Sequence, residues 1–106
     1  MPHLVAQGPE PAQRQQSLIP EGGLLHIGRG SENDCVVKWD RKVSRRHASL
    51  QWDGIEATIR CIDGALNPIL VRGTTSQQAR IQIGEEFRIG GTVFHVVSDS
   101  PESQIR

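Results

Sequence analysis

The sequence predicts an all-β fold, an antiparallel β-sandwich or barrel of roughly ten or eleven short strands. Three observations carry that prediction. Apolar and polar residues alternate over short stretches, most plainly at 47–52 and 55–62, as in strands with one buried face. The 11 glycines and 6 prolines interrupt the 106 residues at short intervals. They leave no stretch with the apolar period of about 3.6 residues that marks a helix. Many short strands at close spacing, without helices, belong to a sandwich or barrel.

The elements follow in order. Residues 3–6 form a first strand, ended by the Gly8-Pro9-Glu10-Pro11 breaker. Residues 13–19 run from polar to apolar and stop at Pro20. Glu21-Gly22-Gly23 then turns into a strand over 24–28, and the polar loop 30–34 leads to a short buried strand at 35–37. Residues 39–46 are polar and basic, hence a loop. In 47–52, Ala48, Leu50 and Trp52 share one side, and Asp53-Gly54 is a strong hairpin turn. The next strand, 55–62, puts Ile55, Ala57, Ile59 and Cys61 on one face. Residues 63–68 are loop, 69–71 a short strand, and Arg72-Gly73 starts a turn. Strands at 79–83, 86–89 and 92–97 complete the set, separated by Gly84 and Gly90-Gly91. Residues 98–106 are polar, contain a proline, and read as a flexible tail or linker. One domain accounts for the chain, with 13–97 as its core and 1–12 as its N-terminal strand and loop.

Twelve Lys+Arg balance twelve Asp+Glu, so the formal net charge is zero. That argues against non-specific binding to nucleic acid or an acidic membrane surface. With two Trp, two Phe and no Tyr, the chain also lacks an aromatic series on which bases could stack. No apolar run approaches the ~18–20 residues of a membrane helix, and residues 1–20 lack the charged and apolar regions of a secretory signal. Cys35 and Cys61 match no metal or redox spacing. They read as buried reduced thiols of a cytoplasmic protein. The four histidines, His3, His26, His47 and His95, form no i, i+4 pair, so neither a metal nor another cofactor is expected. There is no carboxylate pair, nucleophile motif or phosphate-cradling glycine loop, and therefore no sign of an enzyme.

Zero net charge conceals a cluster. Lys38, Arg41, Lys42, Arg45 and Arg46 fall within 38–46, against the single acid Asp40. A solvated basic loop is the plain explanation, but two details add to it. Ser44 places a short hydroxyl among the guanidinium groups, and Arg29 follows a glycine at the end of a predicted strand. Arginine offers a rigid planar fork matched to phosphate oxygens. Two arginines, a hydroxyl and backbone N–H groups suit a covalently attached phosphate, with about −1.5 to −2 charges and three strong acceptors.

The order of these residues resembles the forkhead-associated (FHA) domain. Ile27-Gly28-Arg29 is followed by Asn33-Asp34-Cys35-Val36-Val37, then by Val43-Ser44-Arg45-Arg46-His47-Ala48-Ser49-Leu50. The likeness continues through Asp63, Asn67, Val71 and Gly73 to Ile89-Gly90 and Phe94-His95-Val96, and many bacterial members carry an arginine after the serine, as Arg45 does here. It implies an eleven-stranded sandwich whose end loops bind phosphothreonine peptides, so the expected partner is a phosphothreonine-containing protein or peptide, with the chain part of a longer signalling protein. By the resemblance, Arg29 contacts the phosphate, Ser44 donates its hydroxyl to it, and Arg45 meets phosphate or peptide backbone. Asn67 hydrogen-bonds the peptide main chain, while Gly28 and His47 support the site. The family pattern Asn-Gly-Thr is replaced here by Asn67-Pro68-Ile69. Pro68 fixes its own φ near about −65° and pushes Asn67 toward extended backbone. This departure keeps open an alternative, an FHA-like scaffold with no phosphate dependence.

Overall fold

The computed structural model describes residues 2–62, 65 and 67–98. Among them are eleven strands and no helix: β1 (His3–Gln7), β2 (Arg14–Leu18), β3 (Leu24–Gly28), β4 (Cys35–Val36), β5 (Ala48–Trp52) and β6 (Glu56–Cys61), followed by β7 (Ile69–Val71), β8 (Thr74–Ser76), β9 (Gln78–Gln82), β10 (Glu86–Ile89) and β11 (Thr92–Val97). They form two sheets. One has the order β2-β1-β11-β10-β7-β8, the other β4-β3-β5-β6-β9. All strand pairings are antiparallel except β3 with β4, which run parallel through Ile27↔Cys35 and Gly28↔Val36.

The alternation seen in the sequence sets the faces. Leu25 and Ile27 on β3, Ala48 and Leu50 on β5, and Ala57 and Ile59 on β6 point inward and are fully buried. Opposite them lie Leu4, Ala6, Phe87, Phe94 and Val96 of the other sheet. Phe87 and Phe94 are cross-strand partners with parallel rings 4.8 Å apart, a contact worth about 0.5–1.5 kcal/mol beyond its buried area. The first strand lies inside the six-stranded sheet, paired with β2 on one side and β11 on the other.

Three sequence expectations change. Ile55 does not join the buried face of β6; it is 80% exposed. Asp53 Oδ1 accepts hydrogen bonds from both Ile55 N and Glu56 N at 2.8 Å, so the chain is still turning at Ile55. A strand the sequence did not announce, β8, pairs with β7 as the edge of its sheet. Cys61 is half-buried, not fully buried like Cys35, and both cysteines are free. Asp63, Gly64, Leu66 and 99–106 lie outside the described residues. No helix among the described residues is long and apolar enough to cross a membrane.

Candidate functional site

One end of the sandwich gathers the loop after β3, the long loop 37–47 before β5, the segment preceding β7, and the turn between β10 and β11. Backbone hydrogen bonds tie the first two together. Arg29 N donates to Ser44 O (3.0 Å) and Gly30 N to Arg45 O (3.1 Å), while Val37 N and His47 N return to Gly28 O and Ile27 O at 2.9 Å. Residues that are fifteen positions apart in sequence, Arg29 and Ser44, thereby become neighbours.

Such close approach explains Gly28. A Cβ there would press into the Arg45 carbonyl oxygen and stand 2.7 Å from Asn33 Nδ2. Asn33 is itself buried, and its amide donates to Gly30 O (2.8 Å) and Arg45 O (2.7 Å), stitching the two loops. Gly28→Ala must push these backbones apart, an overpacking penalty of about 1–3 kcal/mol. Circular dichroism melts should show a midpoint lowered by roughly 5–20 °C; an unchanged midpoint would mean the loops separate freely.

His47 is fully buried and braces two loops at once. Its Nδ1 accepts from Ser44 N at 2.9 Å, so the proton of the neutral ring sits on Nε2, which donates to Asn67 O at 2.7 Å. Burial pushes its pKa below the ordinary histidine value, against smaller upward pulls from the Asn67 carbonyl and the Asp40 charge. The ring is thus a neutral strut. Because Nδ1 is spent on a backbone N–H, it has no lone pair for a hydroxyl and cannot serve as a general base toward Ser44.

Asp40, Thr92 and Trp39 form a second brace that sequence reading missed. Asp40 Oδ1 accepts from Lys42 N (3.0 Å), and Oδ2 from Gly91 N and Thr92 Oγ1 (2.8 Å each). Trp39 Nε1 donates in turn to the buried Thr92 hydroxyl at 3.0 Å. Trp39 packs against the core, so it lies under the basic loop and is not offered to a nucleobase. The one acid of the basic cluster is committed to fastening that loop to the β10–β11 turn.

The predicted contact residues converge on this frame. Arg29 is exposed, and its Nε donates to Val43 O at 3.0 Å, which holds the guanidinium at the rim. Arg29, Gly30 and Arg45 line a cavity of about 220 Å³. Ser44, half-buried, is joined to Arg29 through its carbonyl. Asn67 lies across the loop, with Nδ2 donating to Lys42 O at 2.8 Å and its carbonyl taken by His47. Glu32, which sequence reading passed over, puts Oε2 3.3 Å from Arg45 Nε and 3.6 Å from Arg46 Nε. A larger groove of about 530 Å³ lies at the far end of the six-stranded sheet. It carries both signs of charge, Arg72 and Arg88 with Glu85 and Glu86, and Arg72 and Glu85 pair at 2.9 Å, whereas the charged side chains lining the smaller cavity are both arginines. Among the described residues no group of three or more His, Cys, Asp or Glu is placed to hold a metal.

Comparison with known proteins places these features in a family context. The model of the FHA domain family matches residues 25–90. No curated protein matches the chain. Among solved structures, the FhaA FHA domain in complex with the intracellular domain of Rv3910 is 25% identical, with a TM-score of 0.75 over 91% of this chain and 99% of that one. An FHA domain solved in a study of phosphothreonine-dependent FHA domain interactions is also 25% identical, with a TM-score of 0.73 over 92% and 98%. The FHA domain of the CT664 protein from Chlamydia trachomatis shares the fold at 20% identity, with a TM-score of 0.76 over 93% and 98%.

Proposed function

Because the chain belongs to the FHA domain family, we propose that it is a phosphothreonine-dependent protein-interaction module that reads phosphate through Arg29, Ser44 and Arg45. One observation carries this reading: two arginines, distant in sequence, face a single cavity beside a serine, on loops braced by His47 and Asp40. A phosphate there meets charge-assisted hydrogen bonds of about 1.5–3 kcal/mol each. Two or three of these, with main-chain contacts added, fit a micromolar Kd, about −8 kcal/mol. Binding, not catalysis, is the activity we assign, since the histidine of the site is spent on bracing. The Cys35 thiol, pushed up to about 11 by burial, is inert, in keeping with the cytoplasmic location we assign.

The alternative scaffold reading draws support from Asn67, whose amide already serves Lys42 O and which precedes Pro68. A phosphothreonine peptide library, probed before and after phosphatase treatment, separates the two. We expect binding to vanish with the phosphate. Signal indifferent to phosphatase would favour the scaffold and retire the phosphate site.

A further inference from the structure

The cavity between Arg29 and Arg45 lies beside an anion of the protein's own. Glu32 Oε2 stands 3.3 Å from Arg45 Nε and 3.6 Å from Arg46 Nε. A Cβ built on Gly30, which lines the cavity, would come 2.8 Å from Glu32 Cδ, so the carboxylate lies over Gly30. From these contacts, and resting on the assignment of Arg45 to phosphate recognition, we propose that Glu32 is a resident self-ligand: it occupies Arg45 until an incoming phosphate displaces it. Glu32's own backbone N–H, ahead of Arg45 and Arg46, holds its carboxyl below the usual glutamate value, so it remains an anion at neutral pH.

The pair is built to exchange. The Arg45 side chain is 81% exposed and that of Glu32 35%, and ion pairs so open to solvent are weak. A carboxylate offers two acceptor oxygens and one charge, whereas a phosphate ester offers three oxygens and nearly two charges. Phosphate therefore wins Arg45, but it gains less than it would from an unoccupied arginine. Arg46 stays available to hold the displaced carboxylate. Glu32 acts through Arg45 and is a positioning residue; it need not touch the ligand.

The test uses the tightest peptide from an oriented phosphothreonine library, its dephosphorylated form, and the Glu32→Gln variant. At near-physiological salt, where charges beyond about 8 Å are screened, Glu32→Gln is expected to tighten phosphopeptide binding about two- to five-fold, the ordinary worth of the pair it removes. In an Arg45→Ala background, followed by NMR titration because binding is weaker, the same change is expected to have no effect. A general charge effect would survive the loss of Arg45. In the free protein, the Arg45 Nε–H resonance is expected to shift on Glu32→Gln, a readout that needs no peptide. If the parent binds both peptide forms alike, the phosphate reading falls and this inference falls with it. If the parent prefers the phosphopeptide, yet Glu32→Gln leaves affinity unchanged, weakens it, or tightens it equally without Arg45, the self-ligand alone is overturned. An unmoved Arg45 resonance overturns it too.

Discussion

Arg29→Ala is expected to weaken phosphothreonine-peptide binding by at least about thirty-fold while the domain stays folded. Among the described residues the guanidinium is anchored at one point, Nε to Val43 O, which leaves its two terminal amino groups for an anion. Losing two charge-assisted bonds of about 1.5–3 kcal/mol each removes about 3 kcal/mol or more from binding. On the stability side the substitution deletes one hydrogen bond at an exposed position, about 0.5–1.5 kcal/mol, or a few degrees in the thermal midpoint. Arg29→Lys keeps the charge but forfeits both the Nε anchor and the planar fork, and should fall between the two. Calorimetry on the three proteins decides: an alanine variant that binds like the parent means the phosphate is seated elsewhere.

His47→Ala is expected to have the largest effect on stability. It takes the His47 partner from Ser44 N and from the Asn67 carbonyl, both part-buried, and opens a cavity where the ring stood. Each orphaned group is worth about 1–3 kcal/mol. Together they are expected to lower the thermal midpoint by roughly 15 °C or more and to detach the Ser44 loop from the Asn67 segment. A midpoint within a few degrees of the parent would remove His47 from this role.

The same ring sets a pH dependence. Its folded pKa lies below the ordinary value of 6.5, mainly through burial. Well above pH 6.5 the ring is neutral in both states and has no effect on the balance. As the pH falls further, the unfolded chain takes up a proton that the folded ring refuses, so stability declines until the folded ring is protonated as well. Protonation also sets an N–H against Ser44 N, donor against donor. Melting the parent and a His47→Ala variant from pH 7.5 to 5 is expected to show the slope in the parent and its reduction in the variant. The other histidines cancel in the difference.

How much was legible in the sequence depended on whether the determining partner was near or far. The strands Leu24–Gly28 and Ile69–Val71 stood out because apolar residues there end abruptly at glycine or at charged turns. Thr74–Ser76 did not, since an edge strand with Thr74 and Thr75 exposed carries no apolar alternation. Ile55 misled for the opposite reason: it continues the alternation of β6 backward into a turn governed by Asp53. In the site, the Gly28-Arg29 and Ser44-Arg45 pairs announce themselves by residue type and order. Asp40 does not. Its partners, Gly91 and Thr92, are 51 and 52 residues away, and nothing around Asp40 distinguishes a loop fastener from a stray acid. Glu32 was obscured likewise, because only the folded loop brings it to Arg45.

The pairing of β1 with β11 has a mechanical consequence. His3 faces Val97 at one end of that ladder, and Gln7 faces Val93 at the other. Thr92 adjoins the second end and is fastened to Asp40, so His3 and Val97 lie at the end away from the candidate site, about 17 Å along the strand. Tension applied through His3 and Val97 loads the ladder at one extremity. Its rungs then open in succession, a peeling geometry that yields at low force, where a shearing geometry would load every rung together. A module tethered this way should act as a soft mechanical fuse in an optical trap, and its candidate binding rim stays outside the load path until the last rung opens.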